Sequence, residues 1–388
     1  MGSVSLFAPV VPDSELHPSF KWLLHPYLHA PTRELMQSVF DAMPAVDGNF
    51  VRDFQTEGFD ARVWELYLYT WGTRSGYYEV YRPHERPDFR FSRNLRTVWI
   101  EAVTAGAQGE PPRLPPREDS GFERARHEKD YHYIPQRLGS PLYKKLRERY
   151  WELDWVSGLP FLIAIEDFHD PFPVRDSSRV LAHFLYGFTE AITSGPGEPL
   201  ARQLRRVPDP VVGSKKITAG FFDYTDAENI SGVLFSNSGT APKFSRMGYD
   251  PMQHGFLKMI RAGQTADFDP NAVIPEAFAY LVGDGSYEET WGEGMELFHN
   301  PRAKIPVPPA FFPDAVEHRL VEDRIESRAA GNAPYWSVTA KFATPDGTAY
   351  TGDEPFQRLA EAVRERLQHE GAASQSEVFE MLRRGPDI

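Results

Sequence analysis

The chain has 388 residues, with 55 acidic and 42 basic side chains and a formal net charge of −13. A balance this acidic excludes passive coating of nucleic acid by the whole surface and leaves only a local basic groove open. The absence of cysteine excludes disulfides and thiolate zinc sites, and it fits a reducing, cytoplasmic setting.

An apolar content of 41% and an aromatic content of 13% are ample for a packed core in more than one domain. No apolar run is long enough to span a bilayer, and the first twenty residues lack a signal-peptide pattern, so no membrane partner is expected. Pro9, Pro12, Pro18, Pro26 and Pro31 forbid long helices early. Thr32 is expected to cap a helix reading PTRELMQSVFDAM, and Asp47-Gly48-Asn49 a turn. Residues 59–71 predict a helix that is apolar nearly all round and therefore buried. Glu65 sits inside it. A carboxylate there is costly unless it is paired or metal-associated, and an ion pair with Arg62 is the plain alternative.

Two β-rich runs follow, with SRNLR at 92–96 as turn chemistry between them. Pairing Phe89–Phe91 with Val98–Ile100 predicts an antiparallel hairpin that brings Asp88 and Glu101 to one open end. Two carboxylates held together repel, and proteins usually keep them so to bind a cation or share a proton. Residues 106–121 read as a surface loop rich in Pro and Gly. Ser140 and Pro141 then mark the start of a helix whose stripe is Leu142, Leu146 and Tyr150; Lys145 flanks the stripe and Lys144 points away. Phe161–Ile165 has the pattern of a buried strand.

The second half carries a helix over 177–192, β-character in KKITAGFFDY and ISGVLFSNSG, and a polar stretch over 236–249 whose Lys243 and Arg246 either contact phosphate or belong to a plain loop, the loop being the favoured reading. His299-Asn300-Pro301 reads as a turn. HRLVEDRIESRA and YWSVTAKFATPDG are expected to pair. Phe356, Leu359, Val363 and Leu367 mark an amphipathic helix, and Ser374 caps another. Basic residues concentrate over 124–149 and 202–216, where a phosphate-binding groove and an ordinary solvated face are both open. The early histidines His17, His25 and His29, and the pair His127 and His132, have spacings that chance readily produces.

Glu on a helix, Pro87-Asp88 at the start of one strand and Glu101 in the next resemble the PD-(D/E)XK nuclease superfamily. Pro87-Asp88 matches its "PD" and Glu101 its "(D/E)", but Val103 stands where the pattern has Lys. The resemblance covers roughly residues 55–170. It implies an α/β fold, a restriction-endonuclease-like central mixed sheet flanked by helices over residues 1–175; beyond it the residue patterning predicts an α+β region over 176–350 and a helical tail over 351–388. The resemblance also implies a metal-dependent nuclease acting on DNA or RNA. Asp88, Glu101 and Glu65 would hold Mg²⁺ or Mn²⁺, and Lys145 would replace the missing lysine from the neighbouring helix. The other reading is a catalytically degenerate module that binds nucleic acid or a protein partner. Carboxylates locked by Arg86 or Arg90 would favour it.

Overall fold

The computed structural model describes residues 4–44, 48–83, 85–105, 114–115, 119–168, 177–193, 201–265, 275–322, 324–329, 334–369 and 375–386. Two units emerge, each made of separated stretches. The sheet unit comprises Gly76–Asn237 and Gly294–Ala330, and the terminal unit comprises Met1–Ser75, Ser238–Glu293 and Gly331–Ile388. A sequential division at 175 and 350 is a different partition. The interleaving has a direct cause in strand pairing: Met295–His299 joins Gly232–Ser236 in one sheet, whereas Pro334–Ala343 joins Leu257–Thr265 in another.

The sheet unit is mixed α/β, a large mixed sheet of eight strands flanked by helices. Its spatial order is Glu79–Tyr81, Phe89–Arg93, Arg96–Ala105, Phe161–Asp167, Gly232–Ser236, Met295–His299, Val316–Val321 and Arg324–Arg328. The hairpin has the expected register, with Phe89 opposite Ile100 and Phe91 opposite Val98. Asn94 and Leu95 make its two-residue turn with φ of 50° and 61°, the left-handed values that such a turn requires. Arg96–Ala105, Phe161–Asp167 and Gly232–Ser236 run parallel, so helical crossovers must join them. All seven residues of Phe161–Asp167 are buried. Side chains such as Phe161 and Ile163 each contribute about 1.5–3 kcal/mol by leaving water.

One face of this sheet packs Trp99, Phe161, Ile163, Ile165, Val233 and Phe235 against the Ile134–Arg147 and Ser177–Tyr186 helices. Ile134, Leu138, Leu142 and Leu146 recur every four residues and are all buried, which explains why the first helix lies flat on the sheet. It begins earlier than Ser140 suggests. A helical path runs from Phe122 through a π-helical turn at Lys129–Tyr133 into Ile134–Arg147, with Pro141 inside it. Pro141 has no amide for the Arg137 carbonyl, and Ser140 donates back to the Gln136 carbonyl at 2.6 Å, so neither residue starts the helix. Arg149 adopts φ 52° and turns the chain into a 3₁₀ turn at Tyr150–Glu152, which removes Tyr150 from the helical stripe. At Gly139 a β-carbon would overlap Phe184 and Ile217, so glycine permits this close approach.

Other expectations change as well. The 177–192 helix stops at Tyr186, where Gly187 takes φ 79°, and Phe188–Thr193 is a strand paired with Ala201–Arg206. KKITAGFFDY contributes only the short Lys215–Lys216 strand and a 3₁₀ turn at Phe221–Asp223. HRLVEDRIESRA folds on itself as the hairpin Val316–Val321 with Arg324–Arg328.

The terminal unit holds a three-stranded antiparallel sheet, Glu276–Leu281, Leu257–Thr265 and Pro334–Ala343. Phe356, Val363 and Leu367 of the Glu354–His369 helix pack on its Ile260, Ala262 and Leu281, as their spacing predicts. The Phe59–Arg74 helix buries Val63, Trp64, Leu66, Tyr67, Leu68 and Trp71. In the Ala30–Ala42 helix, Thr32 is a buried interior residue bonded to Ser245, not a cap, and His29 takes the cap position. The polar stretch 236–249 is not a loop: Ala241–Met247 is a helix with Lys243 buried. Asp47, Ser374 and most of the 106–121 segment lie outside the described residues.

Candidate functional site

The hairpin and the crossover helix of the sheet unit bring three of the four predicted site residues together. Glu101 lies on the fully paired Arg96–Ala105 strand and is completely buried. Asp88 precedes the Phe89–Arg93 strand, and the register sets it beside Glu101. Its Oδ2 accepts the Ala102 amide at 2.9 Å, and its own amide donates to Glu101 Oε2 at 3.2 Å. Glu101 shares its face with Trp99 and Val103 by strand alternation. That face carries the Ile134–Arg147 helix, so Lys145 extends along the helix flank to the carboxylate. Its Nζ stands 2.5 Å from Glu101 Oε1. Val103 packs on the apolar cluster beneath the helix. Lys144 is exposed.

Arg86 is the fourth member. A single guanidinium nitrogen, Nη1, lies 2.8 Å from Asp88 Oδ1 and 2.8 Å from Glu101 Oε1. Its side chain is 53% exposed, against 13% for Lys145. The indole of Trp155 donates to the Arg86 carbonyl at 3.0 Å, which ties the segment down. Arg90 turns elsewhere, over the rings of Tyr81 and Trp99.

Burial and the neighbouring Asp88 push Glu101 up to about 7, against the pull of Lys145 and Arg86. Burial and Glu101 push the Tyr150 phenol up to about 12, so it stays protonated near neutrality. The Lys145 ammonium sits 5.9 Å from the centre of that ring. Two carboxylates, two cations and one phenol therefore converge where the hairpin's open end meets the helix.

Glu65 belongs to the terminal unit. There Arg62 donates to its Oε1 at 3.0 Å, the pairing that the sequence left open as the plain alternative. Among the described residues no group of three or more His, Asp or Glu side chains is arranged to hold a metal ion. Several cations of the basic segments are paired: Arg126 with Asp130, Arg149 with Glu152 and Asp226, and Lys216 with Asp209.

A second polar cluster, in the terminal unit, has no counterpart in the sequence reading. Glu289 accepts two bonds from Arg246, at 2.6 and 2.8 Å, and lies 2.7 Å from Lys243 Nζ. Arg261 Nη1 lies 2.6 Å from Glu293 Oε1, and Tyr287 donates to Glu293 Oε2 at 2.5 Å. Burial pushes the Glu289 carboxyl up, but Arg246, Lys243 and Arg261 outweigh it and hold the group ionised. The only signal in the sequence was a pair of cations in a stretch that otherwise looks like loop.

The chain matches no family model, no curated protein and no solved structure.

Proposed function

We propose that the protein is a metal-dependent phosphodiesterase that cleaves DNA or RNA on a restriction-endonuclease-like sheet, and that it works in the cytoplasm. The contact of Lys145 with Glu101, next to Asp88 on the paired strand, carries this reading. It supplies the cation that Val103 cannot, from a different element, at the carboxylate where the motif needs it. The hairpin, crossover helix and parallel strand follow one another in the order that the resemblance implies.

Asp88 and Glu101 offer hard carboxylate oxygens, the donor type that suits Mg²⁺ or Mn²⁺. Arg86 now spans those oxygens from a half-exposed side chain, and a divalent ion would have to displace its guanidinium from them. When bound, that ion would supply Lewis acidity at the scissile phosphate and a more acidic water. Lys145 Nζ would stabilise negative charge growing on the attacking oxygen or on phosphorus. Tyr150, protonated, would offer a further hydrogen-bond donor.

The test is to incubate the protein with mixed DNA and RNA in Mg²⁺, in Mn²⁺ and in EDTA. Cleavage should require the metal and disappear in Asp88→Asn, which should still fold. Equal cleavage by parent and variant would sink an Asp88-centred site.

The Arg86 bridge favours a second reading, a nuclease-like module that only binds nucleic acid or a protein partner. Arg86→Ala separates the two. In a nuclease it should preserve or increase metal-dependent cleavage, whereas in a binding module it should leave cleavage absent and loosen only the hairpin end.

A further inference from the structure

Three polar side chains at the other end of the same sheet form a relay that the nuclease reading does not use. Met295–His299, Val316–Val321 and Arg324–Arg328 are its last three strands. The register sets His318 opposite Ser327 and beside Phe298. His318 Nδ1 lies 2.8 Å from Ser327 Oγ, and Nε2 lies 2.7 Å from Glu296 Oε2. A carboxylate only accepts, so in the neutral ring Nε2 carries the proton and the Nδ1 lone pair faces the Ser327 hydroxyl.

The base is held firmly. Phe298 stacks on the imidazole at 4.5 Å between centroids, and Ser178 donates to the same Glu296 oxygen. The His318 and Glu296 side chains are 12% and 20% exposed, while Ser327 is open to solvent on the end strand. An exposed hydroxyl, a base within reach and a third group orienting that base together describe an activated nucleophile. A Ser–His pair serving only to pin the hairpin would need no carboxylate on the far ring nitrogen.

We propose that Ser327, His318 and Glu296 form a hydrolytic triad for short-chain acyl esters, with Ser327 as the nucleophile. The Ser327 O–H bond breaks and its proton passes to His318 Nδ1 as Oγ bonds to the ester carbonyl carbon. The alcohol leaves with that proton. Water then attacks the acyl-serine, gives a proton to His318, and releases the carboxylic acid as Ser327 recovers its hydrogen. Glu296 holds the imidazolium between the two transfers. The open edge position leaves room for small acyl groups at Ser327.

The test treats the full chain with a fluorophosphonate reagent and, separately, with p-nitrophenyl acetate. Mass mapping should place one phosphonyl group on Ser327, and Ser327→Ala should abolish both labelling and ester turnover. Being exposed, that position tolerates alanine without unfolding. Glu296→Gln and His318→Gln, with unchanged circular dichroism, should each slow Ser327 labelling at least tenfold. Absence of label on Ser327 would overturn the proposal. So would a labelling rate that ignores Glu296 and His318 in variants that keep their fold.

Discussion

The two acid–base clusters differ in how much water reaches their cations. At the hairpin, Glu101 is buried but one of its partners, Arg86, is 53% exposed, and the bridge uses a single guanidinium nitrogen. In the terminal unit, Glu289 is held by the fork of Arg246, with Lys243 completely buried beside it. A bridge with one wet partner exchanges easily. A buried fork is expensive to break because it leaves a charge without a partner in a medium that solvates it poorly. The first arrangement therefore suits a site where one cation gives way to another, and the second suits a joint.

Breaking the joint should have the largest effect. Glu289→Gln removes the carboxylate that Arg246, Lys243 and Arg261 share, and it should cost about 3–5 kcal/mol of stability, the range for a severed buried pair. Urea denaturation would show it; a loss below 1 kcal/mol would mean that the cluster is better hydrated than its burial indicates. Arg86→Ala should cost far less.

Next in size is the effect on catalysis. Lys145→Ala should lower metal-dependent cleavage by roughly 10²–10³-fold, the scale of one lost charge-stabilising donor. Lys144→Ala should change it little. Equal effects of the two variants on cleavage rate would remove Lys145 from the chemistry.

The units should also answer pH in opposite directions. Glu101 is pushed from 4.5 up to about 7, chiefly by burial, so the folded sheet unit holds its proton more tightly than the unfolded chain does. That contribution is fully present below about pH 4.5 and is lost as pH rises through about 7. Lys341 in the terminal unit is pushed from 10.5 down to about 7, by burial and then by Arg246. Its contribution is fully present above about pH 10.5 and is lost as pH falls through about 7. The steepest slopes are about 1.4 kcal/mol per pH unit. Glu101→Gln should flatten the first window and Lys341→Met the second in pH-dependent urea midpoints, and slopes untouched by either change would refute the assignment.

The smallest change sharpens the hairpin. Leu95 is fully exposed at φ 61°, a conformation that costs a β-carbon about 1–2 kcal/mol. Leu95→Gly should raise stability by roughly 0.5–1 kcal/mol after the added chain entropy, seen as a modest gain in Tm.

What could be read from residue order was local. Alternation on both sides of Asn94 predicted the Phe89–Ile100 register, and the helical phase put Lys145 rather than Lys144 on the sheet side, even though Ser140 and Pro141 misplaced the helix start. A buried stripe repeats regardless of where a helix begins, whereas a proline inside a helix depends on tertiary packing that no window of sequence contains. The interleaved units were illegible for the same reason. Pro334–Ala343 has the same β-character whether its partner is the preceding hairpin or Leu257–Thr265. Lys243 and Arg246 looked solvated because their acidic partner Glu289 stands more than forty residues away. Glu65 had two readings from the start, and the pair with Arg62 is the one visible.

Gly139 gives the crossover helix a fulcrum. Contact with Phe184 and Ile217 fixes the helix there, and Lys145 rides about 9 Å farther along it, at 1.5 Å per residue. A methyl group at Gly139 would wedge the helix outward and swing the ammonium off its 2.5 Å seat on Glu101 without touching either carboxylate. Alignment of this site is thus a matter of leverage: the tolerance at the charged end is set by two apolar side chains and the hydrogen atom they lean on.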